Sequence, residues 1–203
     1  YLDAQGLTDC KIIVSNALDE YLISELLAQE ACIDGFGVGE RLITAKSDAV
    51  FGCVYKLAAS EDENGVITPK IKVSAKITNP GFKKIYRLYS NETGKAEADL
   101  LMLRDESIDE DAPLEIFDPE YTWKRRVIEN YTARELLVPI FKNGELVYKQ
   151  PSLFEIKRYC AEQTETLWDE VKRFENPHTH YIDMSKKLYD TKMELLNQAR
   201  GEN

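Results

Sequence analysis

The segment Gly35-Phe36-Gly37-Val38-Gly39 has residue types and spacing that could do chemistry directly. Glycines spaced by one residue let backbone N–H groups close on an oxyanion. A helix beginning just after them would add its positive end. The chemistry would be the cradling of a phosphate, although the same residues also suit an ordinary turn. Ser15 and Asn16 stand one unit earlier, after the apolar run Lys11 to Val14. There they would either face the mouth of a barrel or cap the next helix. A third group is basic. Between Asn64 and Asn91 the chain carries Lys70, Lys72, Lys76, Lys83, Lys84 and Arg87, and no Asp or Glu. Lysines are natural point-charge partners for phosphate. Lys70, Lys72, Lys83 and Lys84 are therefore candidates for attracting a phosphorylated ligand. The alternative is the solvated face of β-strands, paired with acidic surface elsewhere.

Other constellations are incomplete. His178-Thr179-His180 supplies two imidazoles but no carboxylate at ligand spacing, so it reads as a hydrogen-bonded turn after Pro177 rather than a metal site. Cys10, Cys32, Cys53 and Cys160 form no CxxC pair. They read as reduced thiols of a cytoplasmic protein, not as a zinc site or a disulfide framework. No Ser/His/Asp or Cys/His triad can be assembled from spacing, and no Walker-type loop is present. Trp123 and Trp168 suit a core or an interface better than a stacking platform.

Several elements must position these residues. Lys11 to Val14 reads as a buried strand. The apolar face Leu18, Leu22, Ile23, Leu26 and Leu27 then predicts a helix, with Asn16 and Asp19 as a capping arrangement. Ala31-Cys32-Ile33-Asp34 reads as a second strand ending in the glycine segment. Strand, helix, strand within about 30 residues is a βαβ unit with a parallel sheet. Val54 to Ala59 suits a further strand. Beyond the polar turn Glu61 to Gly65, the pattern predicts antiparallel structure. Strands at Lys84 to Tyr89 and Ala96 to Leu103 surround the Asn91 to Gly94 turn. A hairpin at Asn143-Gly144 joins Leu136 to Phe141 with Glu145 to Tyr148. Ser152 and Glu155 form a capping box for a helix whose face runs through Leu153, Ile156, Cys160, Leu167, Val171 and Phe174, ending at Asn176-Pro177. A last helix spans about Ser185 to Leu196.

The whole chain bounds these readings. Its 203 residues suffice for one sizeable domain, or a domain plus a smaller module. A net charge of −10 argues against nucleic acid as a general partner. No apolar run reaches the roughly 18 residues of a membrane span. Tyr1 to Gln5 do not read as a signal peptide. They read as the last turn of a helix, as if the chain began mid-protein.

Several segments in order resemble the nicotinate phosphoribosyltransferases. They include Lys11-Ile12-Ile13-Val14-Ser15-Asn16, Leu18-Asp19-Glu20-Tyr21-Leu22, Gly37-Val38-Gly39-Glu40-Arg41-Leu42-Ile43-Thr44 and Val54-Tyr55-Lys56-Leu57. Further on come Thr78-Asn79-Pro80-Gly81, Phe117-Asp118-Pro119, Thr122-Trp123-Lys124, Thr132-Ala133-Arg134-Glu135-Leu136 and Arg173-Phe174-Glu175-Asn176-Pro177-His178. The resemblance implies an α/β fold: the last βα units of an irregular α/β barrel over residues 1–60, a β-rich region over 61–150 and a helical region over 151–203. It implies an enzyme that joins nicotinate to phosphoribosyl pyrophosphate in NAD salvage, coupled to ATP with magnesium and working as a homodimer. Gly37, Val38 and Gly39 match the family loop for the ribose-linked phosphate, and Ser15 and Asn16 match the strand end facing the ribose. Glu40 stands where many relatives have Thr. A carboxylate there would repel phosphate, so Glu40 is expected to turn away or bind an Arg. The family's phosphorylated His, its nicotinate-gripping Arg and its Asp-Ser-Gly-Asp motif match nothing in this chain. Lys72-Val73-Ser74-Ala75-Lys76 looks shorter than the family's usual connection. No catalytic residue and no metal ligand is therefore expected here, and the chain alone is expected to be an inactive fragment. The alternatives are a non-catalytic phosphate-binding or assembly module, and a nicotinamide or quinolinate phosphoribosyltransferase.

Overall fold

The computed structural model describes residues 1–73 and 77–201. Ser74, Ala75 and Lys76, in the connection expected to be short, lie outside the described residues. The chain divides into two units, Tyr1–Tyr55 and Lys56–Asn203. The architecture is mixed α/β.

The first unit opens with a 3-10 turn at Asp3–Gln5. It then builds β1 (Ile13–Ser15), α1 (Glu20–Ala28), β2 (Gly35–Gly37) and α2 (Glu40–Ile43). β1 and β2 pair in parallel, so the βαβ reading matches the backbone. The strands are displaced from where the apolar runs suggest. Residues 31–33 are not a strand. Pairing starts only where the Asp34 and Gly35 N–H groups both donate to the Ile12 carbonyl. The Asp34 carboxylate also accepts from the Ile12 N–H, at 2.8 Å. β1 is not the buried strand expected either: Ile12 and Ile13 are half or more exposed. Parallel strands bury both faces when helices cover both. In this unit Leu18 is the single buried residue among those described. Val54 to Leu57 form no strand and stand exposed, with no neighbouring strand to take their backbone hydrogen bonds among the described residues.

The second unit begins with an antiparallel pair, β3 (Ala59–Glu61) and β4 (Ile67–Pro69), around the expected polar turn. Its main sheet takes β5 (Lys83–Ser90), β6 (Ala96–Leu103), β7 (Leu114–Phe117), β8 (Arg125–Ile128) and β9 (Tyr131–Glu135). A small hairpin follows, β10 (Phe141–Lys142) and β11 (Glu145–Leu146), then α3 (Leu153–Glu165), β12 (Ile182–Met184) and α4 (Lys186–Arg200). The six strands lie in the order β8-β7-β12-β6-β5-β9. β12 runs parallel to β6 and antiparallel to β7, inserted between strands that precede it in the chain. Alternate residues of β6, namely Ala96, Ala98, Leu100 and Met102, are buried. Ala98, Leu100 and Met102 meet Leu88, Ile116, Ile128 and Tyr131 in one core. α4 covers this sheet through Leu188 and Leu196. Phe117 meets Tyr189 edge to face at 5.3 Å.

Local signals hold at several points. Asn143 and Gly144 both take positive φ, as a tight hairpin turn demands, although the paired strands are two residues each rather than the longer runs expected. The Ser152–Glu155 capping box is present at the start of α3. The helix stops at Glu165, well short of Asn176-Pro177. The start of β6 takes over its last turn: Lys95 Nζ donates to the Glu165 carbonyl at 2.6 Å, and the Ala96 N–H donates to the Thr166 carbonyl at 2.8 Å.

Candidate functional site

The parallel register sets Ser15 opposite Gly37, so both strands of the first unit end side by side. Ser15 Oγ donates to the Gly37 carbonyl at 3.2 Å. A Cβ at Gly37 would come within 3.3 Å of that hydroxyl. Glycine here permits the close approach of the two strand ends. The loop after β1 turns sharply: Asn16 and Ala17 both hold positive φ, at 99° and 50°. Non-glycine residues rarely adopt this conformation, and surroundings must over-determine it where they do. Val38 and Gly39 then lead into α2, whose first residue is Glu40.

The helix start of α1 differs from the expected cap. Asp19, not Asn16, caps α1, accepting from the Leu22 N–H at 2.9 Å. Its second carboxylate oxygen accepts from Arg41 Nη1 in a tight ion pair. Ser47 Oγ also donates to the Glu20 carboxylate, whose pKa this bond lowers. Two side-chain bridges thus tie the start of α1 to the segment that follows the glycines. Spacing could not show this, because Asp19 and Arg41 are 22 residues apart. Glu40 does not supply the ion pair of Arg41. It lies exposed, and its carbonyl accepts from Thr44 Oγ1 at 2.8 Å.

The structure brings Ser15 and Gly37 together at paired strand ends, with Asn16, Val38 and Gly39 in the loops that follow them. The four lysines all belong to the other unit. Lys70 and Lys72 are exposed. Lys83 Nζ donates to the carbonyls of Asn79 at 2.8 Å, Pro80 at 3.3 Å and Gly81 at 2.6 Å, and burial lowers its pKa. Lys84 Nζ donates to the Glu106 carbonyl at 2.5 Å. Both ammonium groups are engaged by their own unit's backbone. Arg87 explains why the segment around it needs no acids. Its guanidinium forms a two-pronged bond to Asp99, directly across the β5–β6 ladder, at 2.7 and 2.8 Å.

His180 joins that pair from the chain leading into β12. Its Nε2 lies 3.3 Å from Asp99 Oδ1, within ion-pair range but without hydrogen-bond geometry. Burial alone would raise the Asp99 carboxyl; the Arg87 hydrogen bonds and His180 overcome it and hold the pKa at about 2. Beside them opens a cleft of about 520 Å³, lined among others by Arg126, Trp168, His178, Tyr181 and Asp183. Burial pushes Asp183 up despite Arg126 Nη2 at 3.7 Å. Arg126 Nη2 also donates to the Glu97 carbonyl at 2.6 Å, and Trp168 Nε1 to the Ala96 carbonyl at 3.0 Å. Arg126 and Trp168 are thus committed to the fold, whereas His180 Nε2 is buried without a hydrogen-bond partner. His178-Thr179-His180 is not the hydrogen-bonded turn expected: the segment is irregular and lines the cleft, with His178 Nδ1 3.1 Å from the Thr179 carbonyl. Among the described residues, no group of three or more His, Cys, Asp or Glu could hold a metal ion, and all four cysteines are free and exposed. No helix among the described residues is long and apolar enough to cross a membrane.

Comparison with known proteins adds an independent line. Residues 82–192 match the family model described as the nicotinate phosphoribosyltransferase C-terminal domain. The chain is 37% identical to nicotinate phosphoribosyltransferase of Bacillus subtilis (strain 168), over 98% of its own length and 41% of the relative's. It is 34% identical to the Caenorhabditis elegans protein of that name, over 88% of this chain and 32% of the relative. The chain therefore spans about two fifths or less of these relatives. Its fold resembles the crystal structure of human nicotinic acid phosphoribosyltransferase, with a TM-score of 0.72 at 24% identity, covering 95% of this chain and 34% of that one.

Proposed function

The chain belongs to the nicotinate phosphoribosyltransferase family, and we propose that it supplies the sugar-phosphate side of that family's active site. On this reading residues 1–60 are the last βα units of an irregular α/β barrel, residues 61–150 a β-rich region and residues 151–203 a helical region. The observation that carries the reading is the parallel βαβ unit, which ends Ser15 and Gly37 side by side at neighbouring strand termini. Active sites of α/β barrels gather at that end of the strands.

The chemistry follows from the groups present. Backbone N–H groups of Gly37, Val38 and Gly39 would receive the 5-phosphate of a phosphoribosyl group, with Ser15 and Asn16 toward the ribose. Holding the phosphate fixes the sugar while pyrophosphate leaves from its C1 carbon and nicotinate attacks. Positioning of this kind contributes much of the barrier reduction in such displacements. Glu40 opens α2 and is exposed, so water would screen its charge from a phosphate on the cradle. Lys70 and Lys72, exposed, would add long-range attraction for phosphates. The family reading also implies ATP, magnesium, a homodimer and a cytoplasmic setting.

Titrating the 203-residue chain with ribose 5-phosphate tests the reading. Amide resonances of Gly37, Val38 and Gly39 should shift saturably, and those of β5 and β6 should not. Shifts confined to the second unit, or none at all, would remove the site. Incubation with nicotinate, phosphoribosyl pyrophosphate, ATP and magnesium should give no nicotinate mononucleotide from this chain alone. Detectable synthesis would contradict its role as one side of a larger site.

A further inference from the structure

We propose that Asp19 and Arg41 are positioning residues, a charged strut that sets the gap between the loop after β1 and the glycine segment after β2. The inference rests on reading Gly37 to Gly39 as a sugar-phosphate site, and it assigns that site its means of staying open at a fixed width. The two loops touch at their inner ends through Ser15 Oγ and the Gly37 carbonyl, 3.2 Å apart. They are tied again at their outer ends through Asp19 and Arg41. Between the two ties stand Asn16 and Ala17, both in left-handed backbone, and Val38 and Gly39. A loop held in such a conformation relaxes unless its ends are fixed. Leu18, buried between Ala17 and Asp19, anchors the loop from within. The strut adds a charged tie at the far end of the same loops. Glu20 and Ser47 supply a second bond on the same side of α1.

The pairing also determines what Arg41 does. An unpaired Arg one residue past Glu40, at a helix start, would be available as an anion ligand itself. Asp19 commits the guanidinium to the protein. Its other oxygen caps α1 through the Leu22 N–H. One carboxylate thus joins the cap of the first helix to the entry of the second.

This gives a test in which the sign of the effect discriminates. Asp19→Asn keeps a good helix cap, since Asn is among the preferred N-cap residues, but removes the charge. If the pair is a strut, Asp19→Asn weakens ribose 5-phosphate binding by the 203-residue chain about tenfold, and Arg41→Met does the same. Arg41→Lys recovers part of the loss. The double variant Asp19→Asn/Arg41→Met is no worse than either single change, because both remove one interaction. The Leu22 and Ile23 amide resonances, which report the α1 cap, stay in place in Asp19→Asn. Tighter binding in Asp19→Asn would show that Arg41 is a ligand released from its partner, and would overturn the strut. Unchanged affinity in both single variants, with the wild type binding normally, would overturn it while leaving the phosphate site intact. Failure of the wild-type chain to bind ribose 5-phosphate would overturn both the site and the strut.

Discussion

The two units of this chain invest differently. Tyr1–Tyr55 has strained loops, bridging side chains and one buried residue among those described. Lys56–Asn203 has a six-stranded sheet closed over a core of Leu88, Ala98, Leu100, Met102, Ile116, Ile128 and Tyr131. In the first, polar contacts between loops hold geometry. In the second, buried apolar area holds the fold, at roughly 25 cal/mol per Å² removed from water. The candidate site residues thus lie in the unit with the fewer buried residues among those described. A parallel pair carrying one helix leaves apolar surface uncovered: Leu27, Leu42 and Ile43 stand more than half exposed. Within this chain the buried cluster and the candidate site lie in different units.

The contrast can be broken by mutation. Leu88→Ala or Leu100→Ala should lower the stability of the second unit by about 2–5 kcal/mol, read from the urea midpoint. Leu22→Ala in α1, already partly exposed, should change that midpoint by less than about 0.5 kcal/mol. Equal effects would deny that the core lies in one unit.

Asp99→Asn comes next. The Asp99 carboxyl is depressed in the folded protein to about 2, below an unfolded value of about 3.9. Its stabilisation is complete above the unfolded pKa and is lost as pH falls through the folded one. Asp99→Asn should cost about 2 kcal/mol at pH 7, and the difference from wild type should shrink between about pH 4 and pH 2. A cost independent of pH would assign the effect to packing instead. Asp183 has the opposite sign, because burial raises its pKa. Its ionisation opposes folding once pH exceeds the unfolded carboxylate range. Asp183→Asn should therefore add stability at neutral pH and none below the unfolded carboxylate range. A local effect is expected at α3. Ser152→Ala removes the cap and should cost about 1 kcal/mol locally, visible as fraying of Leu153 to Ile156.

Legibility in the sequence divides along the same line. The β5–β6 hairpin was readable because each strand is eight residues long and its turn residues are explicit. The capping box at Ser152 and the positive-φ turn at Asn143-Gly144 were readable because each is a local chemical device. β12 was not, because three residues carry no period and its neighbours β6 and β7 lie far back in the chain. The end of α3 was misjudged because Lys95 and Ala96, from another element, take its last carbonyls. The acid-free segment looked like a phosphate funnel. Arg87 faces Asp99 across a ladder, Lys83 and Lys84 bind carbonyls, and cross-strand partners have no fixed spacing. At the candidate site the glycines and strand ends were legible by type. The strands were displaced, and the Asp19–Arg41 tie depends on a crossover that brings together residues far apart in sequence.

The most direct test of this division is amide hydrogen exchange on the 203-residue chain with and without ribose 5-phosphate. Amides of Leu88 and Leu100 should be the slowest to exchange and unaffected by the ligand. Gly37, Val38 and Gly39 should exchange fast alone and slow several-fold on binding. Ligand-dependent protection in β5 and β6, or none at the three glycine-segment amides, would contradict it.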